Sequence, residues 1–411
     1  MNKKKQNKSI ISVKGKKTNT DRLLKFIKMK KNIQDANIGK ILSSNSKNKI
    51  KILSKGNTGS RALIFTFPVQ FKNKPNYKNK SRYAVFKITP VNTYMNNKNT
   101  SIHSEVNLHK FVTQLYYNRI TPHVMLYYDK KSNTINKFPR HIRNLLSNIN
   151  NNYREKKYVS IIQETWGGDL QAIEPFHNWA MRNRNKRSKQ TDFKYILFHI
   201  LYTLECFNHL NFKHNDLHLG NILILKYPVK KNKSRQYCVY DRKTKKEMYF
   251  ELPFIKGWDT RLIDFDRSWK GDAKYLSSKY SKKIDNPSLT ELTYDKEFGQ
   301  SRKQNKKFDT YKFLFSLYKK LPEWHETKKW IETVIGKKLI KHGIVHSHKV
   351  IDNSNYGHLV HPVNGYNYVP PDTHMKSTYD MLTSSYFREF RLKRKPTKKS
   401  PSYYSMKTMY K

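Results

Sequence analysis

The chain has 411 residues, with 83 Lys and Arg against 30 Asp and Glu for a formal charge of +53, and 36% hydrophobic and 13% aromatic residues. That length allows about two to three domains or one large two-lobed one, and 28 Tyr, 21 Phe and 6 Trp supply enough burial area to exclude wholesale disorder. Two cysteines, Cys206 and Cys238, exclude a disulfide framework and a cysteine-based zinc cluster.

They fit a reducing intracellular compartment, cytoplasm, nucleus or virion. The opening MNKKKQNKSI lacks the apolar core of a secretory signal. The best apolar stretch, Tyr195 to Phe207, is broken by His199, Thr203 and Glu205, which excludes a membrane span. Lys and Asn are over-used throughout, as an A-rich coding sequence would produce, and this accounts for the charge without a nucleic-acid function. The runs KKNKSR, RNRNKRSKQ and FREFRLKRKPTKK read as loops and tails, through which nucleic acid or acidic partners could be attracted. LKRKPTKK reads equally as a nuclear address or a solvated tail.

In chain order, residues 1–20 are polar and basic, and 21–51 carry scattered apolar positions suited to one or two short helices. KILSKGNTGS, RALIFTFPVQF and SRYAVFKITP read as three strands, with a basic hairpin insertion from Lys72 to Arg82 between the last two. His103 to Tyr117 has helical spacing at Val106, Leu108, Phe111, Val112 and Leu115. Strands follow at Val124–Tyr128 and Tyr158–Gln163, separated by a long basic, Asn-rich insertion. Asp192 to Leu210 reads as a buried helix, Asn221–Lys226 and Thr260–Asp264 as strands, and Phe308–Leu321, Trp324–Ile335 and Tyr379–Phe390 as helices.

The stretch His214-Asn215-Asp216-Leu217-His218-Leu219-Gly220-Asn221 lies between the buried helix and an apolar strand. An Asp and an Asn on a loop pinned at both ends can face one site, Asp216 accepting a proton from a hydroxyl and Asn221 offering its amide oxygen to Mg²⁺. Leu262-Ile263-Asp264-Phe265-Asp266 ends the next strand with a second oxygen donor. His209, His214 and His218 read as structural histidines, because the loop lacks helical spacing and no H-E-x-x-H occurs.

H-N-D-L-H-L-G-N resembles the protein-kinase catalytic loop H-R-D-L-x-x-x-N, and Asp264-Phe265-Asp266 resembles D-F-G. Ala84-Val85-Phe86-Lys87 resembles V-A-I-K, and Glu105 the helix glutamate that pairs with that lysine. Ile162 to Leu170, with Glu164, is similar to the hinge that meets adenine. Asp309 resembles the aspartate anchoring the catalytic loop, and DMLTSSYF the closing helix. The resemblance covers about residues 50–390 and is strongest in 204–226 and 260–266, and the Lys- and Asn-rich insertions resemble those of divergent serine/threonine kinases of large DNA viruses.

The resemblance implies an α+β, two-lobed fold: a basic extension at 1–50, a β-rich lobe with one main helix at 51–165, a larger helical lobe at 166–392 and a basic tail at 393–411. It implies ATP and Mg²⁺ as cofactors, protein substrates phosphorylated on Ser or Thr, Asp216 as the catalytic residue and Asn221 and Asp264 as metal ligands. Gly56, Gly59, Lys87, Glu105 and Glu164 become the nucleotide-binding set.

Four positions depart from the pattern. Ser54-Lys55-Gly56-Asn57-Thr58-Gly59 lacks the first glycine of G-x-G-x-x-G. Asn215 replaces arginine, Asp266 replaces glycine, and His218 replaces the lysine that would touch the transferred phosphate. The loop also resembles H-G-D-L-H-P-G-N of aminoglycoside and choline phosphotransferases, so a small-molecule acceptor is the first alternative. A silent basic scaffold is the second.

Overall fold

The structure is a computed structural model. It describes residues 51–54, 62–69, 82–90, 101–149, 157–164, 172–226, 234–253, 257–285, 306–337, 375–396 and 402–410, with 22, 27, 30, 31, 33 and 340. The expected glycine loop with Gly56 and Gly59, the 72–81 insertion and the hinge residues 165–170 lie outside these.

The chain folds as an α+β protein. Strands β1 (Lys51–Ser54), β2 (Leu63–Val69), β3 (Arg82–Pro90), β4 (Tyr127–Thr134) and β5 (Lys157–Glu164) form one antiparallel sheet in the order β1-β2-β3-β5-β4. Period-two alternation sends Leu63, Phe65, Ala84, Phe86 and Ile88 into the core. Phe65 faces Phe86 in register, their rings stacked 5.5 Å apart. The same alternation turns Lys87 to the other face, beside Ile64 and Ile161. Helix α1 (Ser101–Tyr117) packs Leu108, Phe111, Val112 and Leu115 into the core through its i, i+3, i+4 stripe.

Between β4 and β5, within the basic, Asn-rich insertion, the chain forms α2 (Arg140–Ile149), with Ile142 and Leu146 buried one turn apart. Ile142 and Leu146, with Leu145 packed partly buried beside them, dock a helix otherwise rich in Arg, His and Asn. After β5 come β6 (Ala172–Pro175), α3 (Phe176–Asn183) and α4 (Gln190–His209), the latter buried around most of its circumference. Next are β7 (Phe212–Lys213), β8 (Ile222–Lys226), β9 (Ser234–Tyr240), β10 (Glu247–Pro253), β11 (Trp258–Leu262) and β12 (Trp269–Lys270).

The β9–β10 hairpin was not expected either. Basic residues flank it, yet Tyr237, Val239, Phe250 and Leu252 are buried. Helices α5 (Ser278–Ser281), α6 (Phe308–Tyr318), α7 (Glu326–Ile335) and α8 (Thr378–Leu382) follow. The closing helix expected through Phe390 breaks after Leu382 and resumes as a 3-10 turn at Ser385–Phe390. Within the expected basic tail, β13 (Tyr403–Ser405) pairs in parallel with β9, and Met406 and Met409 are buried. Those aromatic and Met side chains anchor what the Lys-rich composition suggested was solvated.

Both cysteines are free and buried. Among the described residues no helix is long and apolar enough to cross a membrane. One apolar core runs from the five-stranded sheet through α1 and α4 to α6 and α7.

Candidate active site

Strand pairing, rather than sequence proximity, assembles the site. In the β8–β11 ladder Ile222 opposes Leu262, so the residues just beyond each end meet: the Ile263 N–H donates to the Asn221 carbonyl at 3.0 Å. Asn221 is thereby joined to the residue immediately before Asp264. β7 and β12 pair in the same way on the far flank of the two loops. Asp264 has φ 64° and Asn215 φ 65°, left-handed backbone that Asp and Asn tolerate better than most residues.

Lys87 is the hub. Its Nζ lies 2.9 Å from Glu105 Oε1 on α1, 2.9 Å from Asp264 Oδ1 and 3.8 Å from Asp266 Oδ2. Burial opposes the charge of Lys87, but Asp264 and Glu105 hold its ammonium well above the ordinary lysine value. Burial likewise opposes ionisation of Glu105, and Lys87 with His109 overrides it and draws the carboxyl down. Asp266 goes the other way: removal from water and the Asp264 carboxylate beside it push its carboxyl up. The cluster therefore holds more anionic groups than Lys87 neutralises, and every donor is oxygen, the set a hard divalent cation prefers. Phe265, between the two aspartates, is buried edge-on against His109 of α1 at 5.3 Å and against Phe212 at 6.0 Å, which ties this strand end to α1.

Asp216 sits on a loop clamped from beneath. Asp309 on α6 accepts the N–H of His214 at 2.7 Å and of Asn215 at 2.9 Å, so it is an anchor, as expected, while Lys307 occupies the N-cap position of α6. His214 Nε2 donates to the Ile263 carbonyl at 2.9 Å and braces the loop against β11. Asn215, where arginine was expected, donates from its amide to the Arg267 carbonyl at 3.0 Å and fixes the segment after Asp266. Asn221 Nδ2 donates to the Asp216 carbonyl at 2.9 Å, leaving Oδ1 as the acceptor of that amide.

His218 Nδ1 accepts the Gly220 N–H at 3.1 Å, and a Cβ on Gly220 would come within 2.8 Å of that ring, so this turn requires glycine. A residue the sequence reading missed completes the group: Lys312 Nζ on α6 lies 2.9 Å from Asp216 Oδ1. Burial opposes the charge on Asp216, but Lys312, then His218, holds its carboxyl well below the usual carboxylate range. The signal available was a lone lysine inside the apolar run FDTYKFLF.

Glu164, expected at the nucleotide, ends β5 with its carboxylate on Arg22, Nε to Oε1 at 2.7 Å and NH2 to Oε2 at 2.5 Å, and its N–H on the Leu126 carbonyl at 2.7 Å. Its side chain is thus committed to an internal pair. The histidines read as structural have internal partners: His209 pairs with Glu205 at 3.2 Å, and His214 Nε2 donates to the Ile263 carbonyl.

A different group, His123, His199 and Asp259, brings possible metal-ligating atoms within 4.8 Å of one another in the interior. There Asp259 is held by Arg235 at 2.8 and 3.2 Å and by Arg261 at 2.8 Å, and His123 Nδ1 donates to it at 2.9 Å. Two guanidinium groups already neutralise the one carboxylate, so a further cation is disfavoured.

No family model matches the chain. A protein of Acanthamoeba polyphaga mimivirus, provisionally named a serine/threonine-protein kinase, is 25% identical over 224 residues, 50% of this chain and 46% of that protein. The chain thus spans about half the length of the curated relative it matches. Among solved structures, WaaP in complex with acyl carrier protein aligns over 74% of this chain and 83% of its own, at 9% identity and a TM-score of 0.33. The chain is kinase-like, in the order of its motifs and in the cluster they form.

Proposed function

We propose that this protein is an ATP-dependent protein kinase that transfers the γ-phosphate to Ser or Thr hydroxyls. The observation that carries the reading is the shared grip of Lys87 on Glu105 and Asp264, residues 18 and 177 positions away, next to a clamped loop bearing Asp216 and Asn221. A lysine fixed by a helix carboxylate is placed to bind phosphate oxygens, and phosphoryl transfer asks for positioning and charge neutralisation more than covalent chemistry.

Asn221 Oδ1 and the Asp264 carboxylate would hold Mg²⁺, which when bound neutralises charge on phosphate oxygens. Asp216 orients the acceptor hydroxyl and takes its proton as the new O–P bond forms and the bond to the bridging β,γ-oxygen breaks, releasing ADP. A carboxyl held strongly ionised is a weak base, so its contribution lies in orientation, with proton acceptance late.

The second reading, a small-molecule phosphotransferase, draws on His218 and Gly220. Their hydrogen-bonded turn is built into the loop and serves either acceptor. Labelled ATP with Mg²⁺, offered a generic protein acceptor and, separately, amino alcohols and aminoglycosides, separates the two. Label on protein Ser or Thr is the expected result, and label on the small alcohols alone selects the second reading. Asp216→Ala and Lys87→Ala should each lower transfer by about 10³-fold or more in protein that still folds, with some loss of stability from the buried partner charge each leaves behind. Undiminished transfer by the double variant refutes both readings.

A further inference from the structure

Between Asp216 and Asn221 the loop carries no lysine or arginine. The nearest ring, His218, has Nε2 4.0 Å from Asp216 Oδ2, beyond hydrogen-bond distance. A cation reaches the same carboxylate from a distant part of the chain. Lys312 stands three residues after Asp309 on α6, so both side chains leave one face of the helix. Asp309 takes the N–H groups of His214 and Asn215, while Lys312 Nζ lies 3.4 Å from the Asn215 carbonyl and 2.9 Å from Asp216 Oδ1. A single helical turn thus grips three consecutive loop residues, its carboxylate on donors and its ammonium on oxygens.

Packing does not explain a lysine here. Lys312 is 2% exposed, on a helix whose other buried residues include Tyr311, Phe313, Leu314, Phe315 and Leu317. A buried ion pair is commonly matched or bettered in stability by apolar side chains of similar size. What an apolar residue could not do is fix one oxygen of Asp216.

We infer that Lys312 is a positioning residue for phosphoryl transfer: it pins Asp216 Oδ1 from α6, supplies the cation the loop lacks, and leaves Oδ2 to receive the acceptor proton. This rests on the phosphotransferase reading above, and Lys312 acts through Asp216 without exchanging atoms with the substrate.

The test compares full-length wild type with Lys312→Met, Lys312→Gln and Lys312→Ala, reading Mg-ATP binding by thermal stabilisation and steady-state kinetics separately. Lys312→Met should keep KM for ATP and Mg-ATP affinity within about twofold while kcat falls roughly 100-fold, the scale of one lost preorganised electrostatic contact. Ethylammonium added to Lys312→Ala should restore at least part of kcat. Should Lys312→Met not fold, Lys312→Gln, which keeps a donor to Oδ1 without the charge, carries the same expectation. Wild-type kcat in a folded variant overturns the inference alone, as does a loss shared equally by Mg-ATP affinity and left unrestored by the amine. A wild-type chain that neither binds Mg-ATP nor transfers phosphate overturns the kinase reading, and the inference falls with it.

Discussion

Two clusters built from the same kinds of residue lie in this molecule with opposite balance. Around Lys87, three carboxylates converge on one ammonium, and the side chain of Asp264 is 37% exposed. Around Asp259, two guanidinium groups and an imidazole converge on one carboxylate that is 1% exposed. The first has oxygen donors in excess and water at hand, which suits a cation or a polyphosphate–metal pair. The second is closed: Arg235 takes both Asp259 oxygens, His123 Nε2 accepts from Tyr237 at 2.9 Å, and His199 stacks on His123 at 4.1 Å. Residue type alone would have singled out the second as a metal centre. Charge balance and access distinguish a binding site from a staple joining β9, β11, α4 and the turn after α1.

Exchanging one aspartate in each cluster for its amide sharpens the contrast most. Asp259→Asn leaves two buried guanidinium groups without their counter-charge and should lower unfolding stability by about 3–5 kcal/mol, while folded protein still binds Mg-ATP. Asp264→Asn relieves anionic crowding at an accessible position and should leave stability within about 0.5 kcal/mol while Mg-ATP no longer stabilises the protein. Denaturant titrations with and without Mg-ATP read both arms. Equal stability losses in the two variants would erase the distinction.

Acidity provides the next test. Burial outweighs Asp259 and pulls the His123 imidazole down to about 3, and burial with the adjoining His123 pulls His199 well below its ordinary value. Both are neutral in the folded state but protonate near pH 6.5 when unfolded. The unfolded chain therefore binds more protons below pH 6.5, and stability, fully present above that value, is lost as pH falls. Between pH 7.5 and 5 each imidazole should cost about 2 kcal/mol. His199→Phe, which keeps a ring against His123 and removes one titrating group, should cut the pH dependence roughly in half. An unchanged slope in that variant would assign the acid sensitivity to other groups.

The contrast also marks what the sequence could disclose. Lys87, Glu105, Asp216, Asn221 and Asp264 were legible as a group because they match a motif set defined by spacing and flanking pattern, and the structure brings Lys87 to Glu105 and Asp264 and Asn221 to Asp216. The sealed cluster has no such grammar: His123, His199, Arg235, Asp259 and Arg261 meet only because β8, β9 and β11 and the turn before β4 fold around α4. Lys312 was hidden among the chain's many lysines, and only its place inside an aromatic run set it apart. Long apolar elements such as α4 could be located to within two residues. α2 and the β9–β10 hairpin were missed because their apolar positions lie in short elements embedded in Lys-, Arg- and Asn-rich sequence.

The smallest effect belongs to Arg22, at the edge of the sealed cluster. Arg22 grips Glu164 through two nitrogens, donates to the Pro122 carbonyl at 2.8 Å and the Val124 carbonyl at 3.1 Å, and lies 4.3 Å over the Tyr116 ring. Glu164 in turn stands 4.0 Å from Arg261, which holds Asp259. Arg22 is therefore tied to the staple and to the end of β5, not to the Lys87 cluster. Arg22→Ala should lower stability by about 1–2 kcal/mol, since a partly exposed, charge-assisted set of hydrogen bonds is lost and Glu164 keeps access to water. Arg22→Lys should recover little, because a point ammonium cannot span both carboxylate oxygens and two carbonyls at once. Mg-ATP affinity should stay within about twofold in both variants, less than 0.5 kcal/mol. A larger change would mean that the staple and the Lys87 cluster share one mechanical element, with β5 as the part that joins them.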